Sequence, residues 1–513
     1  MNLDNQKGDK RMLPQLRQFF VKRFRHWWSS SPAVKPRAPI PEGQSAVRLP
    51  LAEIMQLPTA QLPCFVRESA AAMKYRELLG ALEWSAFPER PTTPRWRGPT
   101  PEAMAPFAAA YLIKLDKGLR SLPKLREYLV ENPALVWLLG FPLVPAPDVS
   151  WGFDAQRSLP SLRHLIRGLH QLRRSQVRCL LQQTIDLLKT ELPPDVHFGR
   201  EISLDTKHIL AWVCENNPKV YIEGGRFHKE RQPKGDRDCK LGCKRQHNQS
   251  PQADPNENPQ PTPASEGIPA SKARVGEYYW GYGSGIVATK VEGWGEFVLA
   301  ELTQPFDQSD VSYFHALMTQ TEQHLGFAPP FGALDAAFDA FYVYEYFHQA
   351  GGFAAVPLRN PKETRAFDAQ GLPLCQAGLA MPLKSTYTDY THLFPHQRGR
   401  YACPLSFPVD TAQPCPVTHA NADKGGCVAT LPTSIGTRLR QQLDRAGADY
   451  QRIFAQRTAS ERINSQALDL GIERPKLRNQ SSIANQNTLI YVLINLRALQ
   501  RVRQRKAKGD LSA

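Results

Sequence analysis

Asp205 in EISLDTKHILAW, Asp335 in FGALDAAFDAFYVYEYF and Glu461 in FAQRTASERINSQ are the side chains of this chain best suited to chemistry. Hard carboxylate oxygens suit Mg²⁺, which keeps several waters and takes few protein ligands. Two such ions, about 3.5–4 Å apart, can stabilise the attacking and leaving oxygens of an in-line phosphodiester displacement. Each acid also has an ordinary reading. Asp335 precedes a helical stretch and could cap it. Glu461 lies four residues after Arg457, where a surface ion pair contributes only a few tenths of a kcal/mol. Asp339 competes with Asp335 for the second position. Asp335 is preferred because it follows an apolar strand and precedes Ala336-Ala337.

Elements that could bring these acids together follow from hydrophobic period. Residues 46–192 read as a helical region that binds DNA, behind a basic arm at 1–45. Within it, SLRHLIRGLHQLRRSQVRCLLQQTIDLLK reads as one helix. It has an apolar face of Leu162, Leu165, Ile166, Leu169 and Leu172. A cationic face carries Arg163, Arg167, His170, Arg174 and Arg178, a surface that could track phosphates. From Arg200 the order is strand, strand, strand, helix, strand, helix, strand. That order predicts an antiparallel meander followed by crossover-connected strands in one mixed α/β sheet. Asp205 and Asp335 then close the first and fourth strands, and ligands of open α/β sheets bind beyond such strand ends. A low-complexity loop at 246–272 is too poor in apolar residues to pack. An insertion at 360–435 interrupts the region 193–505, and a helix with Leu489, Val492, Leu493, Leu496 and Leu499 on one face ends it.

The 513 residues carry 64 Lys and Arg against 48 Asp and Glu, a formal charge of +16. Such an excess favours a polyanionic partner through counterion release. Nine cysteines without a secretory leader argue against a secreted disulfide scaffold. No apolar run approaches the roughly 18 residues of a membrane span. The expected setting is the cytoplasm, at the nucleoid. Neither a phosphate-binding Gly-x4-Gly-Lys-Ser/Thr loop nor a nucleophile elbow is present, and GYGSG reads as a strand bend.

Taken together, these segments resemble the DDE-type transposases of bacterial insertion sequences. EISLDTKHILAW is similar to their first acidic strand, GDRDCKLGCKR to the basic turn after it, and LDAAFDAFYVYEYF to their second acidic strand and helix. Phe454-x2-Arg457-x3-Glu461 resembles the third-acid region, with Phe454 where that family often has Tyr and Leu468 where it has Lys. The resemblance implies a ribonuclease-H-like catalytic domain with a five-stranded mixed sheet. It implies that Asp205, Asp335 and Glu461 hold Mg²⁺ or Mn²⁺ for DNA end cleavage and strand transfer. Double-stranded DNA would be the partner, gripped by Arg457 and by the basic positions Lys240, Lys244 and Arg245, with a homo-oligomer in the active complex. The alternatives are a DNA-binding protein derived from such an enzyme and a metal-dependent nuclease of the same fold.

The insertion holds Cys403, Cys415, His419 and Cys427, with Cys375 upstream. Cys and His in a loop-rich segment can bind Zn²⁺ tetrahedrally, although no Cys-x2-Cys knuckle occurs. Cys239-x3-Cys243 with His247 is a weaker candidate.

Overall fold

The computed structural model describes residues 49–90, 102–223, 225–245, 276–361, 364–419 and 426–508. The arm at 1–45, the loop at 246–272, His247 and the side chains of Lys244 and Arg245 lie outside the described residues.

Strands β1 (Glu201–Leu210), β2 (Lys240–Arg245), β3 (Gly276–Val291), β4 (Gly295–Pro305), β5 (Phe331–Ala333) and β6 (Phe353–Ala355) form one mixed, curled sheet with helices against it. β3 is antiparallel to β1 and to β4, whereas β1, β5 and β6 run parallel. Gly281 pairs with both Leu210 of β1 and Lys240 of β2, so β2 and β1 lie on opposite edges of β3. The main order is therefore β4-β3-β1-β5-β6, with β2 extending the β4 side. That is one strand more than the five expected; the extra one, β2, occupies the basic KLGCKR segment expected as a turn. GYGSG is not a bend but an unbroken part of β3. Its glycines allow close approach: a Cβ at Gly283 would meet the Tyr313 hydroxyl at 2.4 Å, and one at Gly285 the Tyr313 ring at 2.5 Å.

The helices that matter for the site are α1 (Ala105–Asp116), α2 (Leu162–Gln171), α3 (Arg174–Glu191), α4 (Phe314–Leu325), α5 (Phe341–Gln349), α6 (Ile435–Gln442), α7 (Ala448–Phe454), α8 (Thr458–Asp469) and α9 (Gln480–Ala507). The single long helix expected over 161–189 is two, because the chain turns extended at Leu172 and Arg173. α9 starts at Asn479, whose side chain accepts from Ser482 N (2.9 Å), and it packs on α1, α2, α3 and β4 at once. It is buried on every side from Ser482 to Leu496 rather than on one face. One continuous apolar core therefore runs from the N-terminal helices to the sheet.

α9 also closes the free edge of β4. Asn495 donates to the Val298 carbonyl (2.8 Å) and accepts from Val298 N (2.8 Å), so both backbone groups are paired by one side chain. An unpaired edge strand would otherwise invite another chain.

The insertion expected as loop folds into its own antiparallel sheet, β7 (Leu383–Asp389), β8 (His396–Ala402) and β9 (Val428–Pro432), in that order. Among the described residues no helix is long and apolar enough to cross a membrane.

Candidate functional site

Parallel register brings the first two acids together. Ser203 of β1 is paired with Ala333 of β5. Asp205 and Asp335 each lie two residues further on, so they leave adjacent strands side by side, where strand spacing is about 4.8 Å. Asp205 sits mid-strand rather than at the strand's end, because β1 continues to Leu210 along β3 after β5 has stopped. It is the end of β5 that opens the site.

α8 lies across this face. Ser460 N donates to Ser203 Oγ (3.1 Å), and one turn later Asn464 Nδ2 donates to Asp205 Oδ2 (2.9 Å). Side chains alternate along a strand, so Ser203 and Asp205 both point at the helix. Glu461 shares that side of α8 and lines one cleft of about 450 Å³ with Asp205, Thr206, Lys207, Asn464 and Arg474. Glu461 is about half exposed and ion-paired with Arg457. The carboxylate oxygens of Asp205, Asp335 and Glu461 do not all lie within 4.8 Å of one another. Glu461 is turned toward Arg457, and Asn464 is the group of α8 that touches Asp205.

Electrostatics single out the two aspartates. Burial, with the Asp335 carboxylate adding to it, pushes the Asp205 carboxyl up to about 6 from 3.8. The Thr206 N–H, the Arg457 guanidinium and Asn464 oppose that rise. Burial also raises Asp335, helped by Asp310, while the Ala337 N–H (2.9 Å) and Arg457 pull it down. Arg457 therefore acts on all three acids. Carboxyls raised by burial and by neighbouring acids are typical of functional sites.

Asp339, the competitor, is committed elsewhere. Its side chain is fully buried and takes two bonds from Arg440 (2.7 and 2.5 Å), plus the Tyr344 hydroxyl (2.8 Å) and Arg359 N (2.8 Å). Among the described residues, Asp335 accepts only from its own turn, as the cap of a 3₁₀ turn at Ala336–Phe338.

No protein-family model, curated protein or solved structure matches this chain.

Sequence reasoning missed three groups here. Asp310 accepts from Thr206 Oγ1 (2.8 Å) and acts on Asp335. Thr206 is the second. Asn464 is the third; its spacing of three from Glu461 was a usable signal.

The cationic stripe is divided. Arg163 and Arg167 are exposed on α2, as expected. Arg174 instead turns inward to the buried Glu301 (2.5 Å) and Thr488 (2.9 Å). Arg178 packs beside it, with burial lowering its basicity and its Nε buried without a partner. The break at Leu172–Arg173 rotates α3 away from the face of α2, so these two are positioned by the core and not by a phosphate surface. Lys240 bonds Gln232 (3.3 Å).

The four expected zinc ligands do not converge. The β8–β9 register pairs Ala402 with Val428, which sets Cys403 opposite Cys427. Burial, with Cys403 and Cys375 adding to it, holds the Cys427 thiol up, at about 11. Cys415 contacts His419 (3.5 Å) as a separate pair on the 405–419 segment. Among the described residues, the metal-ligating side chains that do meet within 4.8 Å are Asp389, His392 and His396. Cys239 is buried, bonded to Asp236 and Gln232.

Proposed function

We propose that this chain is a DDE-type transposase that cuts the end of a DNA element and joins the freed 3′-hydroxyl to target DNA. The observation that carries this reading is the parallel register Ser203–Ala333, by which Asp335, just past the end of β5, leaves beside Asp205 of β1 under a helix bearing Glu461. The strand order β4-β3-β1-β5-β6, with three antiparallel strands followed by two parallel ones, supports a ribonuclease-H-like reading of the sheet. The net charge of +16 supports a polyanionic substrate.

The donor set suits Mg²⁺ or Mn²⁺. Two carboxyls raised by burial and by an acidic neighbour each gain from a divalent cation, and Asn464 Oδ1 beside Asp205 is a buried oxygen with no hydrogen-bond partner. Asp205, Asp335 and Glu461 would hold the cation, with Asn464 as a neutral oxygen donor. Such a cation polarises phosphoryl oxygens and makes bound water a nucleophile near neutral pH.

The chain's own residues supply the rest. Arg457, ion-paired to Glu461 and facing both aspartates, is placed to bind a phosphate through its planar fork once Glu461 turns inward. Asn464 and Thr206 N–H orient Asp205 in its ionised form. Lys207 and Arg474 line the same cleft and add positive charge for the DNA backbone.

The test is an assay with labelled DNA carrying the element's ends. Wild type with Mg²⁺ should yield cut ends and joined products. Asp335→Asn should abolish both while gel-shift binding persists. Cleavage without joining would move the assignment to a nuclease of the same fold, and joining by the Asp335→Asn variant would overturn it.

A further inference from the structure

The hairpin between β7 and β8 gathers three ligand-type side chains that the proposed DNA chemistry does not use. Asp389 ends β7, His396 begins β8, and His392 lies in the loop between them. One ligand atom from each lies within 4.8 Å of the other two. His392 Nδ1 and Asp389 Oδ2 are 3.0 Å apart. Ligands of a tetrahedral ion at about 2.0–2.1 Å are spaced roughly 3.3 Å from one another, so this separation needs little adjustment.

The supporting contacts are those a metal site requires. Metal-bound carboxylates and imidazoles are held by further hydrogen bonds that fix their orientation. Asp389 is buried to 7 % exposure, its Oδ1 taking Thr391 N (2.8 Å) and Thr391 Oγ1 (2.6 Å) and its Oδ2 taking Arg398 (3.0 Å). His396 Nδ1 lies 2.9 Å from the Phe394 carbonyl. A carbonyl only accepts, so Nδ1 carries the proton and Nε2 keeps its lone pair for a metal. Both imidazoles line a cleft of about 790 Å³ between the hairpin and the main body, which leaves room for a water or an anionic ligand as a fourth donor.

We propose that Asp389, His392 and His396 form a Zn²⁺-class divalent metal site that locks the insertion onto the body of the protein. Two imidazoles and one carboxylate select a borderline transition metal over Mg²⁺. Its placement gives it a mechanical role. Phe394, inside the chelated loop, packs edge-on against His315 of α4 (4.5 Å) and Tyr342 of α5 (5.5 Å), and His396 packs on Phe341 (4.9 Å). Ligation fixes the loop that makes those contacts. This site is independent of the acids at Asp205 and Asp335.

The full chain, stripped with chelator, should be titrated with Zn²⁺ in excess Mg²⁺, and with Co²⁺ for its visible absorption. Wild type should bind one equivalent that His392→Asn loses or binds at least roughly tenfold more weakly. His392 is exposed, so that substitution leaves the fold standing. Cys403→Ser should keep the equivalent, and so should Asp335→Asn. Limited proteolysis should cut the 390–395 loop faster in stripped wild type than in Zn²⁺-loaded wild type. Equal Zn²⁺ uptake by wild type and His392→Asn, or no uptake by wild type, would overturn the proposal.

Discussion

Asp205 carries the pH dependence of the site. Its folded value of about 6 exceeds its ordinary 3.8, so the folded protein binds that proton more tightly than the unfolded chain does. The stability this contributes is present at low pH and is lost as pH rises from about 4 through 6. Asp205→Asn, a neutral isostere, is therefore expected to raise Tm at about pH 7.5, by on the order of 2 kcal/mol of stability, and to leave it unchanged near pH 4. A thermal melt at the two pH values checks this, and an equal shift at both would contradict the assignment. At this scale the sequence already held the acids and the Arg457–Glu461 spacing. It also favoured Asp335 over Asp339, from the apolar strand before it and the alanines after it. It could not hold what occupies Asp339, which is Arg440, a residue about a hundred positions away.

Elements turn these residues into a site. Asp339 and Arg440 tie α5 to α6, and Arg440→Ala would leave a fully buried carboxylate without its cation. The expected loss is about 3–5 kcal/mol by denaturant titration, with Asp339→Asn in the same background recovering part of it. α9 is held by a different device. Asn495→Ala removes both partners of Val298 on the edge of β4, and should cost about 2 kcal/mol. The alternation of strands and helices after Arg200 was legible because those strands are buried and apolar. β7 and β8 were not, since LKSTYTD exposes most of its side chains, HQRGRYA fully buries only Gly399 and Ala402, and neither shows a two-residue apolar period. β2 hid in a short charged run with no apolar period. The continuous helix expected over 161–189 failed at Leu172–Arg173, where Asn485 of α9 binds the Leu169 and Leu172 carbonyls and stabilises the turn.

The whole molecule is a strongly basic body in which Arg side chains serve two purposes. Arg163 and Arg167 face solvent, whereas Arg174 neutralises the buried Glu301. Arg163→Ala and Arg167→Ala should each lower the slope of log affinity against log salt by about 1 in DNA-binding titrations, with Tm unchanged. Arg174→Ala should do the opposite, losing Tm before it alters that slope. Charge pattern alone could not separate these groups, because partner choice is set by where α9 and β4 pass.

The most direct measurement counts Mn²⁺ bound to the full chain by electron paramagnetic resonance, with and without the substitutions Asp205→Asn, Asp335→Asn and Glu461→Gln. Each substitution should remove or weaken the same ion, and their effects in combination should be far less than additive, as expected of ligands acting as a unit. Full Mn²⁺ occupancy in the Asp205→Asn, Asp335→Asn double variant would contradict the claim that these acids share a cation.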